Sequence, residues 1–154
     1  MTQAQQTFLK PSSMEAWFNR AFGWLIGIGL GPKDYYMLDV RGRKSGRVYS
    51  TPVCIVQYGG VWYIVAPRGT TQWVRNARTS GHVTLRAGSR RNEYALREIP
   101  SAERAPILKA YLARYRTYVQ RYFKVPDGAP EVEFAAIAAE YPVFAMESRA
   151  SKPA

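Results

Sequence analysis

Between positions 41 and 47 the chain reads Arg-Gly-Arg-Lys-Ser-Gly-Arg, which places four cations, a hydroxyl and two glycines within seven residues. Glycine lets a backbone turn its N–H groups toward a ligand. Guanidinium and ammonium groups add charge-assisted hydrogen bonds, so the segment has the make-up of a phosphate clamp. A β-rich run over 49–66, with little charge, follows at once. An anion clamp beside a small barrel points to a phosphorylated redox cofactor rather than to a nucleic-acid backbone. A solvated basic turn is the plainer account of the same residues.

Hydrolytic and metal chemistry have little to work with here. His82 is the only histidine. It follows Ser80 and Gly81 at the start of a strand, with no acid beside it, and reads as a strand-end residue rather than a catalytic base. Asp34, Asp39, Glu93 and Glu98 lie on or next to strands and make no metal-type cluster. The single cysteine, Cys54, excludes an internal disulfide and suits a reducing cytoplasm. In an apolar strand it reads as a small buried hydrophobe. Hydride transfer needs none of these groups, because the cofactor brings the reactivity and the protein positions the two partners.

The elements that would do the positioning are legible from period and punctuation. Ser12 and Glu15 have capping-box spacing, and Met14, Trp17, Phe18, Ala21, Phe22, Leu25 and Ile28 form one apolar stripe. Together they predict a helix over 13–28, packed on a barrel or lying at a membrane surface. Glycines at 27, 29 and 31 end it. Strands are expected at 35–40, 49–58, 61–66, 83–87, 93–99 and 143–147, with hairpin turns at Gly59-Gly60 and Gly88-Ser89. Pro52 breaks a ladder bond, so it belongs at a bulge, at an edge, or where a ligand lies close. Helices are expected at 72–78, 106–122 and 132–140. The second carries Leu108, Tyr111, Leu112, Tyr115, Tyr118, Val119 and Tyr122 on one stripe. Phenols there would cover a core with their hydroxyls in water, or else line a pocket.

Length and charge bound the rest. The 154 residues, 47% hydrophobic, fit one domain over 1–154, with 1–12 and 148–154 as flexible ends. Lys and Arg number 22 against 11 Asp and Glu, a formal charge of +11, which attracts polyanions of several kinds. None of the zinc, basic-zipper or RNP-like signatures of specific nucleic-acid binding is present. The longest uncharged stretch, 21–32, is twelve residues with four glycines, short of the roughly 20 a membrane span needs. With no secretion signal evident, a cytoplasmic location is expected, with possible peripheral membrane contact through the first helix.

An ordered set of motifs extends the picture. Gly42-Arg43-Lys44-Ser45-Gly46, Thr51-Pro52-Val53, Ala66-Pro67-Arg68-Gly69 and Trp73-Val74-Arg75-Asn76 are followed by Ala105-Pro106 with Leu108, and by Tyr141-Pro142-Val143-Phe144. Together they resemble the deazaflavin-dependent nitroreductase family over about 35–147. The resemblance implies an α+β split β-barrel of the flavin-mononucleotide-binding type, with helices packed around it. It also implies the reduced 8-hydroxy-5-deazaflavin coenzyme, coenzyme F420, as donor of a hydride to quinones, enones or nitro compounds.

By that likeness Arg43, Lys44 and Ser45 would grip the phosphate and Arg68 would add a second cation. Thr51, Pro52 and Val53 would run beside the deazaflavin, and Ala66, Pro67 and Gly69 would belong to the same coenzyme-binding set. Trp73 and Asn76 would line the short helix, and Arg75 and Arg78 would meet the glutamate tail. Many relatives carry a basic residue where this chain has Tyr49, and some have a longer loop before Trp73. Trp17, Trp24, Tyr111, Tyr115 and Tyr118 are the candidate acceptor-pocket residues. A non-catalytic carrier of deazaflavin or a lipid-like ligand, and a barrel holding flavin mononucleotide (FMN), are the other readings. The chain is expected to act as a monomer or a homodimer.

Overall fold

The computed structural model describes residues 34–149. The helix expected over 13–28, with Trp17 and Trp24, lies outside the described residues. Six strands close into a barrel: β1 (Tyr35–Arg41), β2 (Val48–Tyr58), β3 (Val61–Val65), β4 (His82–Ala87), β5 (Arg90–Glu98) and β6 (Val143–Ser148). Around the barrel the order is β1-β2-β3-β6-β5-β4, and every neighbouring pair is antiparallel. Among the described residues there are three α-helices: α1 (Gln72–Ser80), α2 (Ala105–Val119) and α3 (Glu131–Ile137). None of them is long and apolar enough to cross a membrane.

The two-residue side-chain period of a strand builds two cores at once. On β1, Leu38 and Val40 join Val53, Ile55, Ile64 and Leu85 inside the barrel. Tyr35 and Met37 point the other way and pack with Leu108, Leu112 and Phe134 of the helices. A barrel strand serving both sides must be largely apolar on both faces, which is why 35–40 is apolar at every position but Asp39 rather than alternating. At the expected first hairpin, Gly59 and Gly60 have φ of 58° and 79°. Left-handed φ at both central residues is what a two-residue loop between twisted strands requires, and glycine adopts it at little cost.

Three expectations shift. The second helix, expected to 122, is interrupted at Tyr115 (φ −116°, ψ 19°), ends at Val119 and continues as a 3-10 turn over Gln120–Tyr122. The third helix likewise stops at Ile137 and tightens into a 3-10 turn over Ala138–Glu140. The last strand reaches further than expected. Ser148 lies opposite Tyr94, and the Arg149 N–H donates to the Glu93 carbonyl at 3.2 Å, so residues 148 and 149 are held by β5.

Candidate functional site

The pairing of β2 opens the site. Residues 48–54 pair with β1, whereas β3 pairs only with 55–58, so one edge of the first part of β2 is unpaired. The Ile55 N–H donates to the Asp34 carbonyl, toward β1. In an antiparallel ladder direction alternates, so the backbone groups of Ser50, Pro52 and Cys54 face away from β1. Pro52 therefore forfeits no bond to β1. It stands on an open edge against a cavity of about 1470 Å³, which meets the expectation of a site where a ligand can lie close.

This cavity has two chemically distinct ends. At one end lie Arg43, Lys44 and Ser45, on the turn after β1, with Gln72 and Asn76 of α1. At the other lie Tyr35, Cys54, Tyr111, Tyr118 and Tyr122. β1 alone spans seven residues between them, roughly 20 Å at about 3.3 Å per residue. Among the described residues the lining includes no Asp or Glu.

The cationic end is rigidly built. Arg43 Nη1 donates to Asn76 Oδ1 at 2.8 Å and to Gln72 Oε1 at 3.0 Å, and the Arg43 backbone N–H donates to the same Asn76 oxygen at 3.1 Å. Both side-chain partners are neutral amides. They hold the guanidinium in place and leave its charge uncancelled, whereas Arg78, Arg86, Arg104 and Arg114 pair with carboxylates. Gly42 donates its N–H to the Arg47 carbonyl at 2.6 Å, and Gly46 (φ 72°) donates back to the Gly42 carbonyl at 3.0 Å. A Cβ at Gly42 would stand 2.6 Å from the Tyr49 ring, so only glycine lets that ring close over the turn. Tyr49, in place of a basic residue, sets its hydroxyl 3.3 Å from Ser45 Oγ.

The phenolic end is a stack of edges. Tyr35 meets Tyr115 and Tyr118 edge-on at 5.5 and 5.6 Å, and Tyr111 meets Tyr115 at 5.3 Å. Burial pushes the hydroxyls of Tyr35 and Tyr111 well up from their ordinary value, and pushes that of Tyr115 up to about 12. Burial likewise pushes the Cys54 thiol up to about 12, so at neutral pH it is held as the thiol.

A thiol and a phenol that resist ionisation in the fold, but not in the unfolded chain, make stability depend on alkali. Their contribution is full below the ordinary thiol value of 9.0 and is lost as pH rises toward about 12. Stability measured by urea melts should therefore fall over that window, and Cys54→Ala should flatten part of the fall. Alkylation of native Cys54 at pH 8 should be far slower than in denaturant.

Of the residues expected from the sequence, Arg43, Lys44, Ser45, Tyr49, Thr51, Pro52, Val53, Ala66, Pro67, Arg68, Gly69, Trp73, Asn76, Tyr111 and Tyr118 all line this cavity. Arg75 does not; it is exposed on α1. Arg78 is committed elsewhere, its Nε and Nη2 donating to the two Glu98 oxygens at 2.8 and 2.7 Å. Tyr115 is also no lining residue. Its hydroxyl donates to the Ile55 carbonyl, beneath the other rings. The break in α2 at that position turns 117–122 onto the cavity, and this lining was not anticipated apart from Tyr118. Tyr35, Cys54 and Gln72 were missed as well, since each looked like an ordinary strand or helix residue. Among the described residues no group of His, Cys, Asp and Glu could hold a metal ion.

Residues 12–130 match the family model described as F420H(2)-dependent quinone reductase. The chain belongs to that family. It is thus a deazaflavin-dependent reductase, and its coenzyme is F420, for which FMN was the alternative. A solved structure described as F420-H2 dependent reductase (FDR-A) is similar at 21% identity, covering 75% of this chain and 95% of that one, with a TM-score of 0.50. A structure described as a domain-swapped dimer is similar at 20% identity, 88% and 100% coverage and a TM-score of 0.53. HutZ, the heme storage protein from Vibrio cholerae, is similar at 10% identity, 77% and 84% coverage and a TM-score of 0.53. At these identities the likeness establishes the split-barrel fold alone. No curated protein matches the chain.

The residues present suit the family's coenzyme. A phosphate needs cations without competing carboxylates, and Arg43, held by two amides, with Lys44 exposed beside it, offers them. A flat ring system needs an apolar slot with hydrogen-bonding edges, and the open side of β2 opposite Trp73 provides one.

Proposed function

We propose that this member of the family reduces quinone, enone or nitro-type acceptors. The observation that supports this most directly is the division of one cavity into an end built on Arg43 and Lys44 and a phenol-rich end that also carries Gln120 and Arg121. Arg43, Lys44 and Ser45 bind the coenzyme's phosphate, with Arg68 as a second cation. Thr51, Pro52 and Val53 flank the ring across from Ala66, Pro67, Gly69 and Trp73, and Asn76 holds Arg43 in place. When bound, reduced F420 supplies the hydride.

Tyr111 and Tyr118 wall the acceptor's end, which excludes water from one side and favours flat, uncharged molecules. A lining without carboxylates among the described residues places no negative charge where negative charge develops on the acceptor. The proton that follows comes from a phenol or from solvent. Arg75, exposed beside the cationic end, is in reach of the glutamate tail. Likeness to a protein described as a domain-swapped dimer supports a homodimer.

Anaerobic mixing of the protein with reduced F420 and menadione tests the reading. Loss of the reduced coenzyme's absorbance should depend on protein and saturate with both reactants. Coenzyme that binds without turnover over a panel of quinones, enones and nitroaromatics would make the chain a carrier. A purified protein with a flavin spectrum and no response to F420 would make it an FMN protein.

A further inference from the structure

Asp39 is the one buried carboxylate among the described residues, 7% exposed, and it sits beside a cavity that has to admit a polyanion. On β1 it lies opposite Ser50 of β2 and Thr84 of β4. Ser50 lines the cavity and belongs to the open edge of β2, where its backbone N–H and carbonyl face away from β1. Ser50 Oγ donates to Asp39 Oδ1 at 2.5 Å, and Arg86 Nε donates to Asp39 Oδ2 at 2.8 Å. Arg86 Nη2 closes the triangle on Ser50 Oγ at 3.3 Å, and Arg91 Nη2 stands 3.8 Å from Asp39 Oδ2.

We infer that Asp39, Ser50 and Arg86 form a charge-compensated strut that positions the open edge of β2 for the coenzyme, with Arg86 as the positioning residue. The inference rests on the coenzyme site proposed above. Two things follow from the triangle. Ser50 Oγ donates to Asp39 and accepts from Arg86, both from the β1 side, so the strand segment that presents Thr51, Pro52 and Val53 is tied down before any ligand arrives. The carboxylate, adjacent to that segment, is covered by two guanidinium groups and presents no repulsion to an incoming anion. Taking Arg86 away leaves a buried charge without its main partner, the costly half of such a pair to expose.

The test uses the full chain with Arg86→Met, Asp39→Asn and the double substitution. Each is melted without coenzyme and titrated with F420 by fluorescence. Arg86→Met should melt about 5 °C or more below the parent. It should bind F420 at least about tenfold more weakly, with KM for the coenzyme raised and kcat within about threefold. The double substitution should regain most of the loss in melting temperature, because no lone carboxylate remains, but not the loss in affinity, because the bridge to Ser50 is still missing. Wild-type affinity in Arg86→Met or in the double variant overturns the positioning role. Should Arg86→Met not fold, Arg86→Lys keeps the charge but loses the bridge to Ser50, and undiminished affinity there overturns it equally. If the parent itself fails to bind F420, the coenzyme reading falls. The melts then judge the strut alone, and a double variant melting no higher than Arg86→Met rejects it.

Discussion

Replacing Arg43 and Lys44 together by Ala should weaken F420 binding by at least tenfold and up to about a hundredfold, with little loss of stability. Each charge-assisted hydrogen bond to a phosphate contributes roughly 1.5–3 kcal/mol, and about 1.4 kcal/mol is a factor of ten. Arg43 is held by the neutral amides of Asn76 and Gln72, and among the described residues no carboxylate pairs with it, so its charge is available to a ligand. Lys44 is exposed on the same turn. Asn76 would keep the bond from the backbone N–H at position 43, so α1 stays docked. Fluorescence titration measures the affinity, and thermal melting checks the fold. Equal affinity in the double variant would show that the turn is ordinary basic surface.

Arg104→Met should cost about 3–5 kcal/mol, seen as a melting point lower by roughly 10 °C. Arg104 is 7% exposed. Its Nε donates to the Ile99 carbonyl at 2.8 Å, its Nη1 to those of Ala138 and Tyr141 at 3.1 and 3.3 Å, and its Nη2 to Glu98 at 3.2 Å. Methionine fills the volume but leaves those carbonyls unpaired in the interior, and an orphaned buried acceptor is expensive. Burial lowers the pKa of Arg104, while Glu98 raises it. Glu98 also grips Arg78, so the hub ties α1, which carries Gln72, Trp73 and Asn76, to the start of α2 and to the turn before β6. Coenzyme affinity should weaken along with stability. A variant melting within about 2 °C of the parent would show that the hub is dispensable.

Much of the barrel could be read in one dimension because its causes are local. Apolar runs bounded by Gly59-Gly60 and Gly88-Ser89 mark strands by their turns, and those turns need glycine whatever the tertiary context. The basic turn was legible for the same reason: charge, hydroxyl and glycine lie side by side in the chain. The helix ends were harder. Val119 and Ile137 give way to 3-10 turns because packing tightens the last turn, and a periodic stripe carries no mark of that. Arg78 looked as available as Arg43 in sequence. Only its meeting with Glu98, twenty residues on, separates a guanidinium paired with a carboxylate from one held by neutral amides at the cavity.

By itself the amino-acid sequence determined the strand set, the basic turn and the family, since each is written in residue types a few positions apart. Tertiary structure alone decided that β2 outruns β3 and leaves an edge open, that Cys54 and Tyr35 face the same cavity as Arg43, and that Tyr115 lies under the pocket wall. Those outcomes depend on the register of strand pairs and on a break in α2. Barrel closure sets both, through contacts between residues distant in the chain, and local periodicity does not encode them.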